Sequence, residues 1–461
     1  MCAVALFAAS CAQAAVIRVG IVRGAPSAAI SGVRLRASAG GRHVAVPASF
    51  TVSARGNSLV VGGKVCAGPL ILTSASPIRC DKASYEGEIV VRAQGGRITV
   101  VNKLDVEKYL RGVLGIEISP VWALEVLKAQ AVISRTYALS SIGKHGGEGF
   151  DVCDTDHCQV YRGVNVHGKT TDQAVIQTRG QVVVYRGALA RTFFSSDCGG
   201  ATADIRDVWG RAEPYLVVRR EPYPSQSPKS EWEVTLTAAE IQAALAKKGK
   251  NVGVLREMAV VQRDAAGRPV TLRFTGSAGS AALTSAEFRM AIGAKKVRST
   301  FFEFSRAAAP RAVRVSERSM PQSRPAAPLA VSGTPLSAEE KVQLKALIAQ
   351  KKFTVDERLD MLVYPDRERF YLNKALGLKN DAPKADPAPQ LPSQKVIEDT
   401  TPVVPTGASS VRVAGSVTLY GRGWGHGVGL SQWGAKAMAD HGWSAEKILN
   451  FYYPGTVIQR R

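Results

Sequence analysis

Two stretches carry residue types that can do chemistry. The first is LRGVLGIEISPVWALEVLKAQAVISRTYA, residues 110–138, where a single carboxylate, Glu117, stands just ahead of a segment rich in Ala, Leu, Val, Lys and Gln. A lone carboxyl group of this kind can serve as a general acid and then as a general base; the plainer reading is a solvated loop acid. The second is KHGGEGFDVCDTDHCQVYRG, residues 144–163, which gathers His145, Cys153, His157 and Cys158. These four suit tetrahedral zinc in type and number. His157 and Cys158 are adjacent and Cys153 precedes them by four and five positions, so a Cys153–Cys158 disulfide is an equally simple reading.

Further along, Ser195, Ser196 and Cys198 precede Gly199 and Gly200. They invite a nucleophile reading, Cys198 with His426 or His157 included, but there is no G-x-S-x-G elbow, and a Ser or Cys before paired glycines is commonly turn chemistry. Near the end of the chain, GRGWGHGVGLSQWG places glycines at 421, 423, 425, 427 and 429. This alternation lacks the G-x-G-x-x-G and G-K-[ST] spacings of nucleotide sites. It permits a close backbone approach to a ligand, with Trp424 and His426 displayed beside it. Trp424, Trp433, Tyr452 and Tyr453 offer faces for sugar rings, unless they are simply core.

The elements that must position these residues follow from pattern. Ser119 is a good N-cap and Pro120 suits a first helical position, which predicts a long, mostly buried helix from Pro120. Arg135 on that helix must find a carboxylate or carbonyls. At about 1.5 Å per residue it lies roughly 22 Å from the helix start, out of reach of Glu117 if the helix is straight. Before it, LDVEKYLRG reads as a short helix capped by Asp105 and closed near Gly112. Residues 15–101 run in short Val, Ile and Leu segments between Gly, Pro, Ser and Asn, a β-rich unit. Residues 102–304 read as an α+β core, and residues 411–461 as a strand, loop and helix completing it. Between them, residues 305–410 shift toward Ala, Pro, Lys and Arg: an insertion with helices over 337–376 and a Pro-rich stretch over 381–405. The fold class expected is therefore α+β.

The chain has 461 residues, 45% of them hydrophobic, and a formal charge of +22. Such a charge favours an anionic partner: nucleic acid, a membrane surface or an acidic wall polymer. No zinc-finger spacing, basic heptad region or aromatic ribonucleoprotein signature accompanies it, which argues against nucleic acid. The first residues, MCAVALFAASCAQAA, form a short apolar run ending in small residues, as in an export signal cleaved after Ala14; lipidation at Cys11 fits less well. No later run is long and apolar enough to span a membrane. The expectation is an exported protein, peripheral to the wall or membrane. In an oxidising compartment Cys66 and Cys80, both in the β-rich unit, are a natural disulfide pair.

Taken in order, VVNKLDVEKYLRGVLGIEISPVWALEVLKAQAVISRTYA, CDTDHCQVYRG, GRGWGHGVGLSQWGAKAMA and FYYPG resemble the stage II sporulation protein D and amidase-enhancer LytB family. The resemblance covers about residues 16–304 and 417–457. It implies an exported lytic transglycosylase that cleaves peptidoglycan glycan strands between N-acetylmuramic acid and N-acetylglucosamine, preferring strands stripped of stem peptides. On this resemblance Glu117 is the catalytic acid and Arg135 an important arginine. Arg135, Ser195, Ser196, Trp424, His426, Tyr452 and Tyr453 are the substrate contacts expected beside the acid. Cys153, His157 and Cys158, with His145, would hold a structural zinc, and Cys198 stands where Ser is common. A wall amidase is the partner implied by the enhancer branch, in which the chain would be a wall-binding activator without catalysis. The expected surroundings of Glu117 are a partly buried pocket facing the 423–429 loop. The positive end of the helix that follows would work against its protonation.

Overall fold

The computed structural model describes residues 15–305 and 409–461, with a few positions between 336 and 376. The chain divides into two units, residues 1–314 with 404–461, and residues 315–403. The expected export signal, the Pro-rich stretch and most of the expected helices over 337–376 lie outside the described residues. The described chain is α+β, as its sequence pattern predicts, with a β-rich N-terminal region.

In this region a pair of antiparallel sheets shares one core. The strands Glu88–Gln94 and Arg97–Asp105 pair in register, Val91 opposite Val100, and bury Ile89, Val91, Ile98 and Val100 on one face. From the second sheet, Phe50, Val52 and Leu59 fill the same core. Alternate residues of a strand point to opposite faces, so one face of each is apolar. Cys66 and Cys80 are both free, contrary to the expected disulfide. Their strands occupy positions four apart in the six-stranded sheet, which at ~4.8 Å per strand separates them by about 19 Å, far beyond disulfide reach.

The strand Arg97–Asp105 runs directly into α1 (Val106–Glu117). Asp105 caps it by accepting from the amides of Glu107 at 2.8 Å and Lys108 at 3.4 Å. Val106, Tyr109, Leu110, Val113 and Leu114 recur at helical spacing and are buried. The helix continues past Gly112, where it was expected to close, up to Glu117. Next, α2 (Leu124–Ser140) is buried on nearly all sides, and α3 (Lys169–Gln177) packs across both. A short α4 (Ile205–Trp209) follows. A second core is built by strands including Glu231–Thr237 and Leu255–Arg263 with α5 (Ala238–Lys247) and α6 (Ser285–Ile292). Both helices start with a capping box, Thr237 with Glu240 and Thr284 with Glu287.

The C-terminal segment completes both cores. Its strand Ser416–Arg422 pairs with Glu231–Thr237, its helices α7 (Gln432–Asp440) and α8 (Ala445–Tyr452) pack on α2, and Val457–Arg460 pairs with Gln181–Tyr185. Among the described residues no helix is long and apolar enough to cross a membrane.

Candidate active site and metal centre

Glu117 is the last residue of α1, and the helix expected to start at Pro120 starts at Leu124. Ser119 does not cap it. Its carbonyl instead accepts from Trp122 at 3.2 Å, placing Pro120 second in a tight turn, a position its fixed φ suits as well as a helix start. The electrostatic consequence reverses the expectation: Glu117 sits at the negative end of its own helix, which does not favour the carboxylate.

The carboxyl is largely enclosed. Its Oε1 accepts from the Val160 amide at 2.9 Å, and Oε2 has no partner among the described residues. Burial holds its pKa above the usual carboxylate range, with the charge of Asp156 pushing the same way and the Val160 amide opposing them. A carboxyl so placed keeps its proton to higher pH than a solvated one, as a general acid requires. The C-terminal segment meets this residue through α7: Gln432 donates to the Glu117 carbonyl at 3.0 Å and reaches Gln130 at 3.4 Å. Trp433 follows, with its amide on the Ser196 carbonyl at 3.0 Å and its ring edge-on to Trp122, centroids 4.8 Å apart. Both indoles are half-exposed. Trp122 was not among the predicted contacts, although its place five residues after Glu117 in the sequence is a signal that it turns back beside the acid.

Arg135 lies elsewhere. It is 1% exposed and makes a two-pronged pair with Glu107, Nε to Oε1 at 2.8 Å and Nη2 to Oε2 at 2.7 Å, and further donates to the carbonyls of Gln181 at 3.0 Å and Val175 at 3.4 Å. Every prong of the guanidinium is used inside the protein, so Arg135 ties α1, α2, α3 and the strand at Gln181 together and is not presented to a ligand. Tyr452 and Tyr453 are also corrected from sugar platforms to core. They are 1% and 0% exposed, and their hydroxyls donate to Glu221 at 2.6 Å and to the Phe193 carbonyl at 2.7 Å.

The alternating glycines have a different purpose from the one expected. The loop lies against the chain's own segment 193–199: a Cβ on Gly423 would come within 2.7 Å of the Gly199 amide, and one on Gly429 within 2.0 Å of the Phe193 carbonyl. Both have positive φ, and the close approach is backbone to backbone. The strand pair Phe194–Ser195 with Leu430–Ser431 and the bridge from Asp197 to Trp424 complete this seam. Ser195 is buried in it, its Oγ without a hydrogen-bond partner among the described residues; Ser196 is half-buried. Trp424 stays half-exposed between Lys229 and Arg298. His426 packs on Trp209, and its Nδ1 accepts from the Val428 amide at 3.0 Å. Burial pushes its pKa down to about 4, with the charge of Arg289 adding to it, so it is neutral at physiological pH.

Cys198 is buried at 1% exposure. Burial, with the carboxylates of Glu221 and Asp197 nearby, pushes its thiol well above the usual range, which is the reverse of what a nucleophile needs. Glu221, beside it, is raised to about 7 chiefly by burial, against the stabilising bond from Tyr452.

The ligand atoms of His145, Cys153, His157 and Cys158 all lie within 4.8 Å of one another. Cys158 Sγ is 3.4 Å from His145 Nε2 and 3.5 Å from His157 Nδ1, and Cys153 Sγ is 3.6 Å from the same His157 nitrogen. Sulfur and nitrogen bound to one tetrahedral zinc at their usual bond lengths stand about 3.6 Å apart, so the donor set fits that ion in type, number and spacing. Both cysteines are free thiols. Burial disfavours the Cys153 thiolate, but hydrogen bonds from Thr155 and Cys158 hold its pKa below the usual thiol value. The loop is anchored by the pairing of Val152 and Cys153 with Val19 and Gly20, and by Asp151, which binds the Arg18 guanidinium at 2.7 Å and the Gly143 amide at 3.0 Å.

The sequence model of the family described as stage II sporulation protein, SpoIID, matches residues 94–185. The chain carries a SpoIID domain. That domain contains α1 with Glu117, α2 and all four candidate ligands. Among the relatives, an uncharacterized protein of Brachyspira hyodysenteriae is 43% identical over 133 residues, 29% of this chain and 36% of the relative. The amidase enhancer of Bacillus subtilis is 26% identical over 349 residues, 76% of this chain and 40% of the relative. Stage II sporulation protein D of Bacillus subtilis is 30% identical over 163 residues, 32% of this chain and 48% of the relative. The chain thus spans less than half the length of each of these relatives, and the resemblance read from its motifs is borne out.

Proposed function

We propose that this protein acts on the bacterial cell wall outside the cytoplasm, as a lytic transglycosylase of peptidoglycan glycan strands. The observation that carries the reading is Glu117: a largely enclosed carboxyl with one hydrogen-bond partner and a raised pKa, at the C-terminal end of α1. In the proposed reaction the protonated Glu117 gives its proton to the glycosidic oxygen between N-acetylmuramic acid and N-acetylglucosamine, and the bond from that oxygen to the anomeric carbon breaks. The resulting carboxylate then takes the proton of the muramic O6 hydroxyl as that oxygen closes on the anomeric carbon, forming the 1,6-anhydro ring. Atoms balance without water, and no second carboxylate is needed, unlike in the paired-carboxylate hydrolases.

The test is digestion of peptide-stripped glycan with product weighing. Wild type releases anhydromuramic ends, and Glu117→Gln lowers the rate by about 10²–10⁴-fold, the usual contribution of a positioned acid. Absence of such ends with wild type, or undiminished release from the variant, overturns the reading. A second reading is favoured by the alignment with the amidase enhancer, which takes in 76% of this chain: a wall-binding activator of a separate amidase. It predicts amidase stimulation that survives Glu117→Gln.

His145, Cys153, His157 and Cys158 would hold a structural zinc. A bound zinc supplies a crosslink that fixes the 145–158 loop and, two residues on, the Val160 amide against Glu117. Elemental analysis should find zinc in the purified protein and lose it in Cys153→Ser; wild type without zinc refutes the assignment.

A further inference from the structure

Three cations meet at the loop that carries Trp424 and His426. Lys229 Nζ lies 5.0 Å and the Arg298 guanidinium 4.9 Å from the centre of the Trp424 ring, which puts the two charges at most about 10 Å apart. Arg289, on α6, donates from Nε to the Arg298 carbonyl at 3.2 Å, and the Gly425 amide donates to that same carbonyl at 2.9 Å. The third guanidinium therefore borders the loop at Gly425. Its other bond among the described residues is a long one, 3.8 Å, to Met290 Sδ. None of Lys229, Arg289 and Arg298 has an ion-pair partner among the described residues.

The acid beside them is spent inside the fold. Asp197, which bridges to Trp424 through the backbone, is 0% exposed, and its two oxygens accept from the Gly199 amide and the Ser225 hydroxyl, each at 2.7 Å. Arg289 is half-buried, and burial alone pulls its pKa below the usual guanidinium value. A desolvated cation without a counter-charge costs stability, which an anion arriving from solvent would offset. Two accessible indoles stand at the same corner. Trp424 is half-exposed; Trp209 is 43% exposed and packs on His426, ring centres 4.9 Å apart, on a helix, α4, that packs against α6.

We infer that Lys229, Arg289 and Arg298 form an anion site for the phosphoryl group of a phosphorylated saccharide, with Trp424 against the sugar. A carboxylate brings one charge and two oxygens, too few for three cations. A phosphoryl group brings more acceptor oxygens and, as a monoester, up to two charges, and guanidinium groups match its geometry. The indole supplies the flat face that a sugar ring packs on. The site uses neither Glu117 nor the four candidate zinc ligands, so it stands whether the chain cleaves glycan or activates an amidase.

The experiment is titration calorimetry on the full chain at low salt. The probes are N-acetylglucosamine, its 6-phosphate, N-acetylmuramic acid, a glycerol phosphate oligomer and inorganic phosphate. The sugar phosphate binds about tenfold more tightly than the plain sugar, as a charge-assisted hydrogen bond allows, and more tightly than the carboxylate-bearing muramic acid; added salt weakens it. Arg289→Gln and Lys229→Gln each remove most of the preference for phosphate, and Arg289→Lys keeps part of it. Lys229 is exposed, so its variant folds even where Arg289→Gln does not. Trp424→Ala weakens the sugar phosphate but not inorganic phosphate, and Arg186→Gln, which removes an exposed cation elsewhere, changes nothing. Binding of the monoester or of the diester oligomer supports the inference, and the tighter of the two identifies the source. Equal binding of sugar and sugar phosphate overturns it, as do tighter binding of muramic acid, inorganic phosphate binding as tightly as the sugar phosphate, and a preference undiminished in Lys229→Gln. The transglycosylase reading fails separately, by absence of anhydro ends from wild type, since this measurement needs no turnover.

Discussion

Glu107 and Glu117 stand at opposite ends of the same helix, α1, and have opposite surroundings. Glu107 is bound through both oxygens, to the Arg135 guanidinium and to the Gly180 amide at 3.1 Å. Glu117 has one amide. The matched carboxylate is spent on holding helices and a strand together. The undermatched one holds its proton to higher pH than a solvated carboxyl does. Partial burial is common to both, so the count and charge of partners, rather than depth, separates a structural acid from a reactive one.

The largest effect that probes this contrast is the loss of Arg135. Arg135→Ala leaves the Glu107 carboxylate without its partner inside the fold and should cost about 3–5 kcal/mol of stability, read as a lowered denaturant midpoint. Glu117→Gln should leave the midpoint near wild type while removing activity. If Arg135→Ala folds normally and loses only activity, the division of labour between the two acids is wrong. Glu221 gives an intermediate case, a buried carboxyl whose bonding does not offset its burial. Its folded pKa of about 7 exceeds the ordinary 4.5, so between those values the folded protein binds the extra proton. The stability this group contributes is full below about pH 4.5 and lost as pH rises through 7. Relative to wild type, Glu221→Gln should gain about 3 kcal/mol on going from pH 4.5 to pH 8; parallel stability curves for the two proteins would contradict this. The smallest effect concerns Glu117 itself. Because the acid form is required, activity should fall as pH rises through its raised pKa. Asp156→Asn, which removes a like charge, should move that limb to lower pH; a limb that stays put or moves up would assign it to another group.

Residues whose roles depend on near neighbours were legible in the sequence. Asp105 caps α1 because a cap needs only the next two or three amides, and Cys153, His157 and Cys158 converge because a short loop returns them to one point. Pro120 misled because a helix start and a tight turn ask the same φ of proline. The loop glycines misled because their alternation signals close backbone approach without saying to what; the partner is segment 193–199, more than two hundred residues earlier in the chain. Tyr452 and Tyr453 misled because an aromatic side chain suits a core and a sugar face alike.

What the sequence by itself determined, then, is the α+β class, the convergence of Cys153, His157 and Cys158 and the order of motifs, all carried by local spacing or periodicity. Only the tertiary structure decided that Arg135 belongs to Glu107, that Trp122 meets Trp433, and that α1 ends rather than α2 begins at Glu117. Those outcomes depend on which distant groups desolvate one another, and that is a property of the packed chain, which no local pattern encodes.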